Sequence, residues 1–521
     1  MTRAHRYRVP GIALAALLTL SACGGGSSSS GSGDSAAAAE GGDLVIARAA
    51  DALSMDKTTT FDNNSIYVFE QIMQPLFTVS KDGKEVEPLL ATSYEVSDDK
   101  LTYTIKLREG VTFSDGTPMT AKDVKFSIDE DSKTGADGWG YINAAIDSVE
   151  ATDDQTVTIK LKYAWAPLLA DLSLFSNGII PENYGGKTSE QFYEAPVGTG
   201  PFKWGEWKKG QSLKLVKNDK YWQEDQPHLD SVTWTVVPDA NTRKLQLQGG
   251  QIDIDEYPDW SSFGSLKNAP GITATAFPST RIDYLDFNQQ KTPFADVHVR
   301  RAIAYAVDRE SLVKTVLYGN GEPADSLLAP GVPYYAKNPD APKFDMAKAK
   351  EELAQSSVPN GFATSITINS GDPNQGSVAQ ILQAQLKELG IDLQIEQLDP
   401  TALKQHRNAG DFNMIIGGWT MDIPDPDEWT SFAVDPEGGS HSAYSWYDNP
   451  EVVALNKQAQ AETDESKRAD LYKQLQEKTA ADAWAAYLYY SPYAYATTDK
   501  VKGFYATPLG NYPLEGVSKT K

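Results

Sequence analysis

At 521 residues the chain is too long for a single hydrophobic core and points to two or three domains. A hydrophobic share of 40% beside 23% charged residues excludes global disorder, and a net charge of −24 argues against nucleic acid, which needs basic patches. The one cysteine, Cys23, excludes an intramolecular disulfide and a Cys-rich zinc site.

Residues 1–8 are basic, 11–20 are apolar, and Ser21 and Ala22 are small. This is the pattern of a secretory signal peptide over residues 1–22, too short to span a membrane. Residues 23–42 are nearly all Gly, Ser and Ala after Cys23. They bury too little apolar surface to fold and read as a tether. The folded body is expected to begin near Asp43. No later stretch reaches the roughly 20 apolar residues of a membrane span. Residues 166–180 come nearest, and Asp171 and Asn177 interrupt them.

In the body, Thr102–Leu107 alternates with period two and predicts a strand with Tyr103, Ile105 and Leu107 on one face. Asp115, Gly116, Thr117 and Pro118 predict a turn. Thr120, with Asp123 three residues on, predicts a capping box that opens a helix through Lys125 and Phe126. Asp296 predicts an N-cap, with Val299, Ile303, Val307, Val313 and Leu317 along the helix and Gly319 as its stop. Asp345 caps a predicted helix over 347–353. Residues 377–389 predict a helix that ends at Gly390, and 391–395 a strand. This helix–Gly–strand step is the rhythm of a layered α/β domain.

Met414, Ile415 and Ile416 form an apolar strand that runs into Gly417, Gly418 and Trp419, then into a proline-stiffened acidic loop. Trp419 and Asp422 are thus expected just past the strand's C-terminal end, where open α/β sheets bind ligands. A buried carboxylate needs a cation, and an ammonium supplies one with hydrogen bonds. The other reading of Asp422 is a turn cap beside Pro424. Asp425, Asp427 and Glu428 could suit calcium, but the spacing is not that of an EF-hand and the prolines restrict wrapping, which favours a structural loop. Tyr444, Trp446 and Tyr447 form an aromatic cluster for pocket lining or core packing. Asn63, between Asp62 and Asn64, is a candidate polar contact. A ligand carboxylate would need a cation such as an arginine. The sequence does not pick it out: Arg281 and Arg407 are placed for it, and a structural ion pair is the favoured reading of each.

Residues 101–127 read LTYTIKLREGVTFSDGTPMTAKDVKFS. They resemble a conserved segment of the peptide- and nickel-binding family (family 5) of extracytoplasmic solute-binding proteins of ABC importers. The resemblance continues, in the family's order, at 196–204, 218–222, 250–253, 287–288, 293–310 and 411–427. It implies an α/β periplasmic-binding-protein-like fold of the class C type: two lobes, a hinge and an additional third domain. It divides the chain into lobe I (43–63, 195–283 and 495–521), an extra domain (64–194) and lobe II (284–494). In peptide-binding members the aspartate three residues after this tryptophan pairs with the ligand's α-ammonium. Asp422 and Trp419 match those positions. Leu20, Ser21, Ala22 and Cys23 resemble a bacterial lipoprotein signal, which implies cleavage before Cys23 and lipid modification of it. Two or more acyl chains would hold the protein stably at the extracytoplasmic membrane face. The implied partners are a small-molecule or peptide ligand and the transmembrane subunits of an ABC permease. A monomer with no cofactor and no resident metal is expected.

Enzyme motifs are missing. There is no HExxH, and His5, His228, His298, His406 and His441 are scattered. Gly185, Gly186, Lys187 and Thr188 end like a phosphate loop, but Pro181 stands where its first glycine is required. Ser97 to Lys100 fits SxxK by chance, and no GxSxG elbow occurs. The reading is a binding protein for peptides. The alternatives are the same scaffold for an oligosaccharide or a metal–chelator complex, and, from a different class, a secreted hydrolase.

Overall fold

The computed structural model describes residues 40–438 and 442–520. The signal segment, Cys23 and all but the last three residues of the tether lie outside the described residues.

Two mixed sheets carry the architecture. A seven-stranded sheet runs in the order Ile272–Phe277, Tyr493–Thr498, Ile254–Glu256, Asp43–Arg48, Ser231–Val236, Ser212–Lys217, Phe202–Lys208. A six-stranded sheet runs Glu322–Pro323, Ala485–Tyr490, Ile282–Phe287, Met414–Trp419, Ala363–Asn369, Asp392–Leu398. A four-stranded antiparallel sheet between residues 91 and 161 forms a third body, with its own core around Ile105, Val124 and Ile159. Among the described residues no helix is long and apolar enough to cross a membrane.

The chain passes from the first sheet to the second between Phe277 and Ile282, and returns between Tyr490 and Tyr493. The two crossings lie side by side. The Ser279 hydroxyl donates to the Ser491 carbonyl, and the Thr280 hydroxyl donates to the Pro508 carbonyl (3.1 Å). Short paired crossings leave two lobes that can turn about them.

Local sequence accounts for most elements. Thr102–Leu107 is a strand whose Tyr103, Ile105 and Leu107 are buried. Thr120 and Asp123 form a reciprocal capping box that opens Ala121–Ser132. Asp345 caps Met346–Gln355 through the Ala347 and Lys348 amides. The helix expected from 377 begins earlier, as Pro373–Lys387, because Asp372 caps it and proline needs no amide partner in the first turn. The strand after Gly390 is Asp392–Leu398.

The long helix expected after Asp296 is two helices, Val297–Ala306 and Arg309–Val316. Asp308 accepts from the Ser311 amide and starts the second helix. The six-residue step from Val307 to Val313 is where helical spacing fails. The strand expected over Met414 to Ile416 continues to Trp419, so Trp419 ends the strand rather than following it. Gly417 and Gly418 keep it flat against its neighbour. A Cβ on Gly417 would lie 2.5 Å from the Tyr284 ring, and one on Gly418 would lie 2.5 Å from the Arg281 guanidinium.

Candidate functional site

A cavity of about 550 Å3 opens between the two large sheets, within the size range of small-ligand sites. Asn63, Tyr257 and Trp260 reach it from the seven-stranded side. Arg281, Asn374 and Tyr489 reach it from the six-stranded side, and Tyr493 from the crossing. Asn63 is the first residue of the helix Asn63–Phe69, which Asp62 caps through the Ser65 amide. The Asn63 amide donates to the Tyr67 hydroxyl (3.2 Å), which lies 2.8 Å from the Tyr257 hydroxyl. Arg281 is clamped by Asp283 at 2.6 Å, and Asp283 also accepts from Ser491. Arg281 therefore stands in the cavity wall as half of an ion pair.

The strand Met414–Trp419 delivers the chain to the rim of this cavity, where Thr420 lines it. Asp422 follows, half-buried. It is not among the cavity's lining residues. The Asp422 and Ile423 amides both donate to one oxygen of Glu428, at 2.7 and 3.0 Å. The acidic loop thus folds back on its own glutamate. Its other acids are held internally. Asp425 takes two hydrogen bonds from Arg468, at 2.6 and 2.9 Å, with both residues buried. Asp427 accepts from Ser431 and Gln460 at 2.8 Å each.

Three carboxyls are left in an unusual state. Burial pushes Asp422 up to about 7, and its carboxyl shares a hydrogen bond with Glu428. Burial and the neighbouring Asp422 push Glu428 well up as well. Burial and Asp422 push Glu70, at the C-terminal cap of Asn63–Phe69, up to about 8. Glu70 Oε2 and Glu428 Oε1 are buried with no hydrogen-bond partner. No lysine or arginine is among the charges acting on any of the three. Burying several acids without a cation is costly unless they hold protons, and a cation arriving there is strongly favoured.

Aromatic side chains flank the acidic loop in sequence and pack together. Trp419 stacks on Trp429 with centroids 4.9 Å apart, and Phe432 lies 5.2 Å away. Tyr141, from the third body, meets Phe432 edge-on at 5.1 Å. The Trp419 indole N–H is buried without an acceptor.

Tyr444 and Trp446 lie further back along the same lobe. The Arg407 guanidinium sits 4.3 Å over the Tyr444 ring. Trp446 packs 6.1 Å from Phe412 and closely over Gly410, just before the strand that ends at Trp419. Sequence reasoning did not single out Glu70, Tyr257, Trp260, Asn374 or Tyr493. The run of tyrosines from Tyr487 to Tyr495 marks the return crossing and could have flagged Tyr493. Nothing in the sequence around Glu70 sets it apart.

Two lobes joined by paired crossings around a polar and aromatic cavity define a two-lobed ligand-binding protein. The chain belongs to the bacterial extracellular solute-binding proteins, family 5, whose middle-region model matches residues 85–441. It is 31% identical over 479 residues to the probable D,D-dipeptide-binding periplasmic protein DdpA of Escherichia coli (strain K12), covering 89% of this chain and 92% of that one. It is 32% identical over 501 residues to the oligopeptide-binding protein AppA of Bacillus subtilis (strain 168), covering 89% of each. Among solved structures it resembles the ABC transporter-associated periplasmic binding protein DppA of Helicobacter pylori in complex with the peptide STSA. The TM-score is 0.81 at 30% identity, covering 93% of this chain and 99% of that one. These relatives are binding proteins, not enzymes.

Proposed function

We propose that the protein captures short peptides between its lobes and hands them to the transmembrane subunits of an ABC importer. The observation that carries this reading is the Asp422–Glu428–Glu70 cluster, three carboxyls without a cation beside the inter-lobe cavity. A peptide's α-ammonium fits it in charge and in hydrogen bonds. Asp422 is the pairing residue and Trp419 the adjoining wall. Asn63 is a polar contact from the facing lobe, and Tyr444 and Trp446 line the far end. Lobe I is built on the seven-stranded sheet, lobe II on the six-stranded sheet between the crossings at 278–281 and 491–492, and the extra domain on the four-stranded sheet. Closure is driven by the ligand's higher affinity for the closed state. The names of the relatives, two peptide binders among them, support the same ligand class.

The test is calorimetric titration of the stripped protein with free and N-acetylated peptides. Asp422→Ala should remove measurable affinity and leave the fold intact. An unchanged affinity would refute the assignment. The chain is further proposed to be a monomer tethered by lipid on Cys23 at the extracytoplasmic membrane face. Cys23→Ser should then release it into the soluble fraction, and retention with the membranes would contradict the anchor.

A further inference from the structure

We propose that the inter-lobe cavity selects ligands that carry a positively charged side chain, through Asp259 on one wall and Asp372 on the other. This inference rests on the reading of the ligand as a peptide held between the lobes, and it adds a side-chain preference to that reading.

Both aspartates line the cavity. Asp259 follows the strand Ile254–Glu256 of the seven-stranded sheet, and Asp372 follows the strand Ala363–Asn369 of the six-stranded sheet. Two carboxylates therefore reach one space from facing lobes. Asp259 stands at the start of the helix Trp260–Lys267, but its side chain makes no capping hydrogen bond. It is exposed and free to turn to a ligand. Asp372 caps Pro373–Lys387 with one oxygen only, which accepts from the Asn374 and Gln375 amides at 2.9 and 3.2 Å. Its second oxygen makes no hydrogen bond among the described residues.

The charge balance of the cavity is negative. Arg281 is the one cation among the described lining residues, and Asp283 already neutralises it at 2.6 Å. That pair cancels and leaves Asp259 and Asp372, neither of which forms an ion pair among the described residues. Asp372 and the Arg281–Asp283 pair lie close enough together for all three charges to act on the Tyr489 hydroxyl. A cleft lined by one sign of charge between low-dielectric walls focuses the field and concentrates ions of the opposite sign.

The rest of the wall suits the stem and the donors of such a side chain. Trp260 and Tyr489 offer aromatic surface to a methylene chain and to a cation. Tyr493 lines the cavity at 6% exposure, and its hydroxyl oxygen is buried with no hydrogen-bond partner. That oxygen can accept from an ammonium or a guanidinium. A lysine or arginine side chain would thus meet carboxylates from both lobes and a phenol oxygen between them. A glutamate side chain would meet the same carboxylates as repulsion, the kind of penalty that sets specificity.

The test titrates the ligand-stripped mature protein with alanine tripeptides in which lysine, glutamine or glutamate replaces each position in turn. At the best position lysine should bind roughly 10-fold tighter than glutamine, and glutamate roughly 10-fold weaker. Asp259→Asn and Asp372→Asn should each remove part of this preference, and the double variant should bind the lysine and glutamine forms alike. Asparagine is itself a good N-cap, so the helix after Asp372→Asn keeps its start. An unchanged affinity for the glutamine peptide shows that the fold and the cleft are intact. No lysine preference in the parent protein overturns the proposal. So does a preference that survives in the double variant, which would place the selectivity at the Asp422 cluster instead. Failure of the peptide reading looks different, since no tripeptide then binds. Agmatine and spermidine decide in that case by thermal shift. A shift in the parent that disappears in the double variant supports the two aspartates as the cation-selecting pair. No shift, or one that survives in the double variant, overturns it.

Discussion

Lowering the pH should release the ligand, with a magnitude set by one carboxyl. In the free protein burial pushes Asp422 up to about 7. An ammonium favours the charged carboxylate and pulls that value back toward the ordinary range near 4. Binding is then full above pH 7 and is lost as pH falls through that value, because ligand and proton compete for the same oxygens. Between pH 8 and pH 5 the dissociation constant should rise on the order of 100-fold, with about half a proton released per ligand bound at pH 7. Titration calorimetry from pH 5 to 8, in two buffers of different ionisation enthalpy, reads both quantities. The observed enthalpy should depend on the buffer at pH 7. An affinity flat over this range, with no buffer dependence, would refute the claim that a protonated Asp422 receives the ligand.

The ligand-free protein should lose stability as pH rises from 5 to 8. Asp131, Asp255 and Asp427 are pushed by burial up to about 6, Glu256 and Asp422 to about 7, and Glu70 to about 8. Each raised carboxyl contributes fully below its unfolded value near 4 and loses that contribution as pH climbs through its folded value. The melting temperature should fall over this window, and a saturating ligand should flatten the slope. Arg468→Ala should cost about 3–5 kcal/mol in denaturant unfolding, because it strands the buried Asp425. A loss under about 1 kcal/mol would mean that the pair is solvated like a surface bridge. Gly417→Ala should cost about 1–3 kcal/mol by driving a methyl group into the Tyr284 ring. Native-like stability of that variant would show that the ring yields freely.

Much of the fold was legible because its signals are local. Period-two alternation found Thr102–Leu107, and side-chain caps found the starts at Thr120, Asp296 and Asp345. The break at Asp308 was missed because apolar positions continue on both sides of it, and only the cap distinguishes one helix from two. The site was legible in part. The strand and glycines that carry the chain to the cavity rim at Thr420 were readable, since that motif lies in one stretch. Beyond Asn63 and Arg281 the cavity wall was not, because Tyr257, Asn374 and Tyr493 come from three further, distant segments. The states of Glu70 and Glu428 were hidden for a different reason. Their raised values follow from burial and from Asp422, which only the folded arrangement brings together. The role of Arg281 as half of an ion pair depends on Asp283, two residues on at the head of the strand Ile282–Phe287.

The central claim is that the protein holds a short peptide by its α-ammonium between the lobes. A thermal-shift panel on the protein, stripped of ligand by unfolding and refolding, tests it most directly. The panel holds di- to pentapeptides, cello- and xylo-oligosaccharides, and nickel with and without histidine. A ligand at about 100 times its dissociation constant adds roughly 2.7 kcal/mol, a readable upward shift. The account predicts a rise with peptides that is absent for their N-acetylated forms. A rise with sugars or nickel–histidine alone would contradict it and leave the Asp422–Glu428–Glu70 cluster with no part in binding.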